Sequence, residues 1–379
     1  MSDNGRLIYR IGMVGPSRVG KTSLITALLR GGQRLLEGSG IGMKAVGSPT
    51  QKRLTQHRED LDGSLLAGTF QPDALGGNQE KFEFQLLLDP GVPDAGIELR
   101  LLDYPGEWFD PRNRPPDSTV AWAECERFLE QSSVLIVPID AAVLMEATNA
   151  SHLRAMPAIL ATTQVDDVVR SWLTERKRRP DEPGLLLLCP VKCESYFTDN
   201  GGDRDDSANL LGWVRRVYRD VIDAVPAEAP HVRTVYCPVD TIGCVEILRA
   251  DWFAEPTRSG KLTFLAEYGV RPPGRQSIKG ADDVLMALCR HLVGARTRVE
   301  EQAAVTKYEL AHDARLYAER DEGFFWNIWF QLTGERRLRE EIATSRRDEA
   351  VEALSRVQAL NSVVEELARR NPGERVRLW

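Results

Sequence analysis

Leu7-Ile8-Tyr9-Arg10-Ile11-Gly12-Met13-Val14, followed without a break by Gly15-Pro16-Ser17-Arg18-Val19-Gly20-Lys21-Thr22-Ser23, is the stretch on which the fold turns. Its first half is an apolar run that leads into a glycine, as a buried strand would. Beyond it, Leu24, Ile25, Leu28 and Leu29 recur at helical spacing, so a helix starting near Lys21 is predicted. Residues 15–22 satisfy G-x-x-x-x-G-K-[ST] in full, between that strand and that helix, where the motif has a mechanism. Glycines let the backbone wrap phosphate oxygens, and open N–H groups at a helix N-terminus attract an anion. In this reading residues Gly15 to Ser23 bind a nucleotide. Lys21 reaches the β and γ phosphates as a point charge, and the Thr22 hydroxyl ligates Mg²⁺. An ordinary glycine turn is the competing explanation, and the strand–loop–helix context argues against it.

A second constellation lies downstream in Leu101-Leu102-Asp103-Tyr104-Pro105-Gly106-Glu107-Trp108. An acidic residue ends an apolar strand and a glycine follows in the spacing D-x-x-G. Asp103 is placed to hold Mg²⁺ through a water, and the Gly106 N–H to sense a γ-phosphate, so that the next loop responds to hydrolysis. The strand belongs to a hairpin expected from Phe82–Leu88 and Ile97–Leu102. Between the first helix and this hairpin, residues 31–80 are rich in Gly, Ser, Gln and Pro and are expected to be a long irregular region.

Further out the texture is α/β. Strands are predicted at Val134–Ile139, Gly184–Pro190 and Val232–Pro238, and helices over Met156–Arg178, Leu210–Ala224 and Asp282–Val293. Strands separated by helices imply a mostly parallel sheet covered on both faces. The strand at 184–190 runs into Cys189-Pro190-Val191-Lys192-Cys193-Glu194, and the strand at 232–238 opens the loop Val239-Asp240-Thr241-Ile242-Gly243.

Taken in this order, the pieces resemble the Ras-like (TRAFAC) class of P-loop GTPases. The tract Asp103-Tyr104-Pro105-Gly106-Glu107-Trp108 is similar to the second switch of the YcjX-like and double-GTPase-type bacterial proteins. The resemblance covers about residues 7–295. It implies a Ras-like sheet, GTP or GDP, and Mg²⁺. Such proteins carry [NT]-K-x-D after the strand that here ends at Pro190. Lys192 would cover the base and Glu194, in place of aspartate, would pair with it, while Val191 departs from the polar residue. A solvated lysine and glutamate is the alternative. The family also wants a switch-I threonine on Mg²⁺; Thr69 is the candidate chosen, with Thr50 and Thr55 also available. Glu107, directly after Gly106, stands where many small GTPases carry a water-orienting glutamine. It either acts on the water beside Lys21 or points to solvent or to Arg112 or Arg114. Those two arginines are arginine-finger candidates or simple loop charges. An ATPase or relaxed-specificity NTPase, and a catalytically silent nucleotide-binding scaffold, are the rival functions.

Composition sets outer bounds. The 379 residues are 42% hydrophobic and 28% charged, with a formal net charge of −7. That length allows a domain plus an appendage. The negative balance argues against a general nucleic-acid binder, which needs a clustered cationic face. Six cysteines without a C-x-x-C pair read as buried reduced thiols. No signal peptide and no bilayer-length apolar run are recognised, so a cytoplasmic location is expected. Arg176-Lys177-Arg178-Arg179 ends a helix and complements its dipole.

The main domain is expected to occupy 1–298 and a helical extension 299–379. The extension holds the aromatic patch 323–334, GFFWNIWFQLTG, and a final amphipathic helix that Pro372-Gly373 stops. That helix suits either a coiled coil or packing on the domain. A protein partner or self-assembly through this extension is expected, with peripheral membrane contact a weaker alternative.

Overall fold

The computed structural model describes residues 7–66, 68–70, 79–91, 96–182, 184–202, 204–254, 262–291, 358, 361–362 and 364–379. The aromatic patch 323–334 lies outside them. Its elements are β1 (Leu7–Met13), α1 (Lys21–Leu35), β2 (Gly42–Ala45), α2 (Ser48–Leu66), β3 (Thr69–Phe70), β4 (Phe82–Asp89), β5 (Ile97–Asp103), α3 (Thr119–Gln131), β6 (Val134–Asp140), α4 (Ala141–Met145), α5 (Ala150–Ile159), α6 (Thr162–Arg178), β7 (Gly184–Val191), α7 (Ser207–Val217), α8 (Arg219–Glu228), β8 (Val232–Tyr236), β9 (Val245–Ala254), β10 (Leu262–Val270), a helix over 281–291 (α9) and β11 (Arg377–Leu378).

Eight strands form the main sheet in the order β11-β8-β7-β6-β1-β5-β4-β2. The run β8-β7-β6-β1-β5 is parallel. Antiparallel β4 and β2 close one edge and antiparallel β11 the other. A second sheet, β3-β10-β9, is antiparallel.

Side-chain alternation explains why this sheet needs helices on both faces. Val134 and Ile136 of β6, and Leu185, Leu187 and Cys189 of β7, belong to one core with Leu24 and Leu28 of α1 and Leu285 and Leu288 of α9. Their neighbours Leu135, Val137, Leu186 and Leu188 belong to the other core, with Leu129, Val169, Leu173, Leu210 and Val221 from α3, α6, α7 and α8. A strand turns successive residues to opposite faces, so continuous apolar runs such as VLIVPID bury on both. The fold is thus α/β, with a mostly parallel central sheet flanked by helices, as the alternating pattern predicts.

Four expectations are corrected. The region 31–80 is not irregular throughout: α2 runs 19 residues inside it. Its buried positions Thr50, Leu54, Leu61 and Leu65 make a seam too thin to stand out among polar residues, and packing rather than periodicity fixes the helix. The predicted helix 156–178 is broken at Ala161, whose backbone is left-handed at φ 51°. The predicted helix 210–224 is divided at Tyr218, which leaves helical geometry between α7 and α8. Finally, the C-terminal extension is not wholly an appendage. Val364, Leu367 and Val376 are buried in the first core, and β11 pairs with β8. Single-helix packing therefore describes residues 364–369.

All six cysteines are buried free thiols, as expected. At the end of α6, Arg176 is 1% exposed and pairs with Glu182, while Arg178 pairs with Glu175. No helix among the described residues is long and apolar enough to cross a membrane.

Candidate functional site

The carboxyl ends of all five parallel strands converge at one end of the sheet. β1 leads to Gly15–Thr22, β5 ends at Asp103, β6 at Asp140, β7 opens into Lys192, and β8 leads to Asp240. β1 lies between β5 and β6, where connections depart to opposite sides, and ligands of open α/β sheets bind in the crevice at such a point. A cleft of about 1270 Å³ opens there, lined by Pro16–Val19, Gly106, Glu107, Asp140 and Lys192, with β10 and the end of α5 as its far wall.

Gly20 begins α1 in left-handed backbone, φ 102°, without a side-chain cap on the helix amides. Those amides suit an anion. Lys21 is buried, and its Nζ donates to Gly15 O and Pro16 O at 3.0 Å each. Burial pushes its ammonium below the usual lysine range, and Asp103 acts in the opposite sense. Gly106 packs against the loop: a Cβ there would sit 2.0 Å from the Ser17 nitrogen. Only glycine allows this approach, so the DYPGEW segment and the Gly15–Thr22 loop are one mechanical unit. Tyr104 strengthens the contact, with its hydroxyl accepting from Gly15 N at 3.3 Å and its ring 4.8 Å from Lys21 Nζ.

Thr22 Oγ1 donates to Asp103 Oδ2 at 2.7 Å, so the two predicted magnesium ligands are brought together. A hydroxyl and a carboxylate oxygen at a helix N-terminus are the hard donors that Mg²⁺ takes, alongside waters and phosphate oxygens. The residues present fit the ion and the nucleotide. Thr69 lies in β3, its backbone paired with Gly269 of β10 in the second sheet. The residue that this part of the chain brings to α1 is His57 of α2, whose Nε2 lies 3.1 Å from Ser23 Oγ. Burial lowers the His57 pKa, against the opposing pull of Asp60 and Asp103.

Glu107 is exposed in the 3-10 turn Gly106–Phe109 and lines the cleft. Arg112 pairs with Asp110, and Arg114 donates to Trp108 O at 2.7 Å and lies over the Trp122 ring. Among the described residues, neither arginine forms an ion pair with Glu107.

On the opposite side, Lys192 adopts φ 56° and spans from β7 to the Gly15–Thr22 loop. Its Nζ donates to Arg18 O at 2.9 Å and meets Asp140 Oδ2 at 2.5 Å. Asp140 Oδ1 meanwhile caps α4 through Ala142 N and Val143 N. Glu194 follows in the same loop. It is 1% exposed and lies outside the cleft lining, and its Oε1 accepts from Ile242 N at 3.0 Å and Gly243 N at 3.2 Å. That oxygen staples the loop after β8, while Oε2 is buried without a hydrogen-bond partner.

Sequence reasoning missed Asp140, His57, Arg375 and the second sheet as a wall. Asp140 had a signal, an acidic residue ending a buried strand. His57 sat in a segment read as irregular, and Arg375 in a segment read as part of a helical extension.

No family model matches the chain, and no curated protein matches it. Among solved structures, the S. cerevisiae Ski7 GTPase-like domain bound to GTP is similar at a TM-score of 0.32 and 15% identity, covering 62% of this chain and 43% of that one. The chain therefore spans less than half the length of that structure, and the α/β architecture described here rests on strand order and register.

Proposed function

We propose that this protein binds a nucleoside triphosphate with Mg²⁺ in the cleft at the carboxyl ends of β1, β5, β6 and β7, and hydrolyses it slowly as a nucleotide-controlled switch. The observation that carries the reading is the junction of two segments, Gly15–Thr22 and Asp103–Gly106: hydroxyl against carboxylate at 2.7 Å, and glycine against the Ser17 backbone. Lys21 and the amides of residues 15–23 hold the phosphates. Thr22 and Asp103 hold Mg²⁺, which when bound neutralises phosphate charge. Glu107, exposed at the cleft, orients the attacking water. Positioning and charge stabilisation of this kind are most of what phosphoryl transfer requires.

The switch follows from contact. Because Gly106 rests on the phosphate-binding loop, a change in phosphate occupancy moves the Asp103–Trp108 segment, and a protein partner or a second copy reads that surface. GTP is the leading nucleotide, on the resemblance in motif order and on Lys192. One observation favours a second reading, an NTPase with relaxed base preference: Glu194 is buried, and its Oε1 accepts from the amides of Ile242 and Gly243.

The test is a fluorescent guanine-nucleotide titration with Mg²⁺, competed by GTP and by ATP, with Lys21→Ala alongside. Displacement by GTP far below the ATP concentration needed supports a GTPase. Equal displacement supports the relaxed NTPase. Absence of binding by the folded parent protein, freed of carried-over nucleotide, defeats both. Phosphate release from the bound triphosphate, lost in Lys21→Ala, distinguishes a hydrolase from a silent scaffold.

A further inference from the structure

The loop after β8 is held from several sides, and one hold comes from the far end of the chain. Asp240, which begins this loop's turn, is fully buried. Its Oδ1 accepts from the Cys193 thiol at 3.1 Å, and its Oδ2 from Asn200 Nδ2 at 2.9 Å and from an Arg375 guanidinium nitrogen at 2.8 Å. Burial first, and the Asp240 charge second, push the Cys193 thiol well above its usual range, which keeps its proton available to donate.

Arg375 is 8% exposed in its side chain. Its Nε also donates to Asp199 Oδ2 at 3.0 Å, and its guanidinium lies 3.9 Å over the Phe197 ring. The segment carrying it is anchored on either side. Gly373 N donates to Asp283 Oδ1 at 2.7 Å, and Trp379 N to Thr234 O at 3.0 Å. A forked cation reaching two carboxylates at once does more than cover a sheet edge.

Cys193 sits between Lys192, which bridges to Arg18 O and Asp140, and Glu194, which accepts the amides of Ile242 and Gly243. Asp240 is therefore the buried anchor that ties the loop after β7 to the loop after β8. Arg375 is the cation that offsets its charge.

We propose that Arg375 is a positioning residue for the nucleotide site: by neutralising buried Asp240 it sets the loops at 192–194 and 239–243, so that the C-terminal segment controls affinity through Lys192 on its side of the cleft. This rests on the proposed nucleotide function for its ligand, though not for its loop geometry. Docking of residues 371–379 and nucleotide binding are then linked, each strengthening the other.

The experiment uses the full chain as wild type, Arg375→Gln and Arg375→Lys. Hydrogen–deuterium exchange is followed in peptides covering 239–244 and 12–23, and affinity is read with the fluorescent guanine nucleotide and Mg²⁺. Arg375→Gln is expected to speed exchange at Ile242 and Gly243, leave the phosphate-binding loop unchanged, and weaken nucleotide binding roughly ten- to a hundredfold, as loss of a charged hydrogen bond would. Arg375→Lys, which keeps a charge without the fork, should fall between. If Arg375→Gln does not fold, the same readings on Arg375→Lys decide. Unchanged exchange at 242–243, equal acceleration in both peptides, or unchanged affinity in a variant of a binding parent overturns the proposal. A parent that binds no nucleotide defeats the proposed function instead, and the exchange data still decide whether Arg375 sets the loop.

Discussion

Glu194 is a buried carboxyl whose Oε1 holds the loop after β8. Two backbone amides donate to it, which favours the carboxylate, yet burial and the neighbouring Asp240 win and raise its pKa to about 7. Its unfolded value is near 4.5, so the native state holds the extra proton between these values. A group whose folded pKa is raised contributes stability below the unfolded value and loses it as pH rises through the folded one. Wild-type stability should therefore decline between about pH 4.5 and about pH 7 relative to Glu194→Gln, which cannot ionise. Denaturation midpoints across that window check this, and parallel pH profiles for the two proteins would count against it. The left-handed backbones of Arg18 and Lys192 are a second residue-scale feature. Both are non-glycine residues at the cleft, strain that persists because Lys192 Nζ ties itself to Arg18 O.

At the scale of the element, the decisive objects are the parallel strands and their double-faced burial. Every residue of β6 and of β7 is buried, and adjacent positions serve different cores. Leu187 of β7 packs within the first core, away from the cleft lining. Leu187→Ala is expected to cost about 2–5 kcal/mol by lost transfer and residual cavity. Denaturant unfolding would measure the loss, and nucleotide affinity in the still-folded fraction should stay near that of wild type. Helix α2 illustrates the opposite regime. In its thin seam Leu54 joins the first core, Leu61 and Leu65 pack with Phe70 and Tyr268 of the second sheet, and His57 comes to Ser23 only because that packing is made.

For the whole molecule, the C-terminal segment closes the architecture. β11 covers the edge of β8, Trp379 packs beside Tyr236 with ring centroids 5.8 Å apart, and Val364, Leu367 and Val376 fill the first core. Each such buried apolar side chain contributes about 1.5–3 kcal/mol, so removing residues 364–379 should remove a large share of a typical domain's stability. Deletion should lower the thermal midpoint by many degrees and promote association through the exposed β8 edge. Thermal melting and light scattering read these two effects, and a truncated chain that melts like the parent would show the segment to be dispensable. The five site loops gather at one end of the same molecule, so what anchors the sheet edge also bears on the cleft.

The sequence by itself determined the α/β class, the β1–loop–α1 unit, the β4–β5 hairpin and the residue types at the phosphate end. These are local properties: an apolar run, a glycine spacing, a carboxylate at a strand end, each legible because neighbours in sequence remain neighbours in space. Lys21, Thr22, Asp103 and Gly106 were singled out for that reason, and the fold brings Thr22 to Asp103 and Gly106 to Ser17. Tertiary structure alone decided the rest. It turned Glu194 onto Ile242 and Gly243, set Thr69 in the second sheet, brought His57 to Ser23, and carried Arg375 across 135 positions to Asp240. Those contacts join distant segments through burial and charge, and no short-range pattern encodes which buried carboxylate a remote arginine will reach.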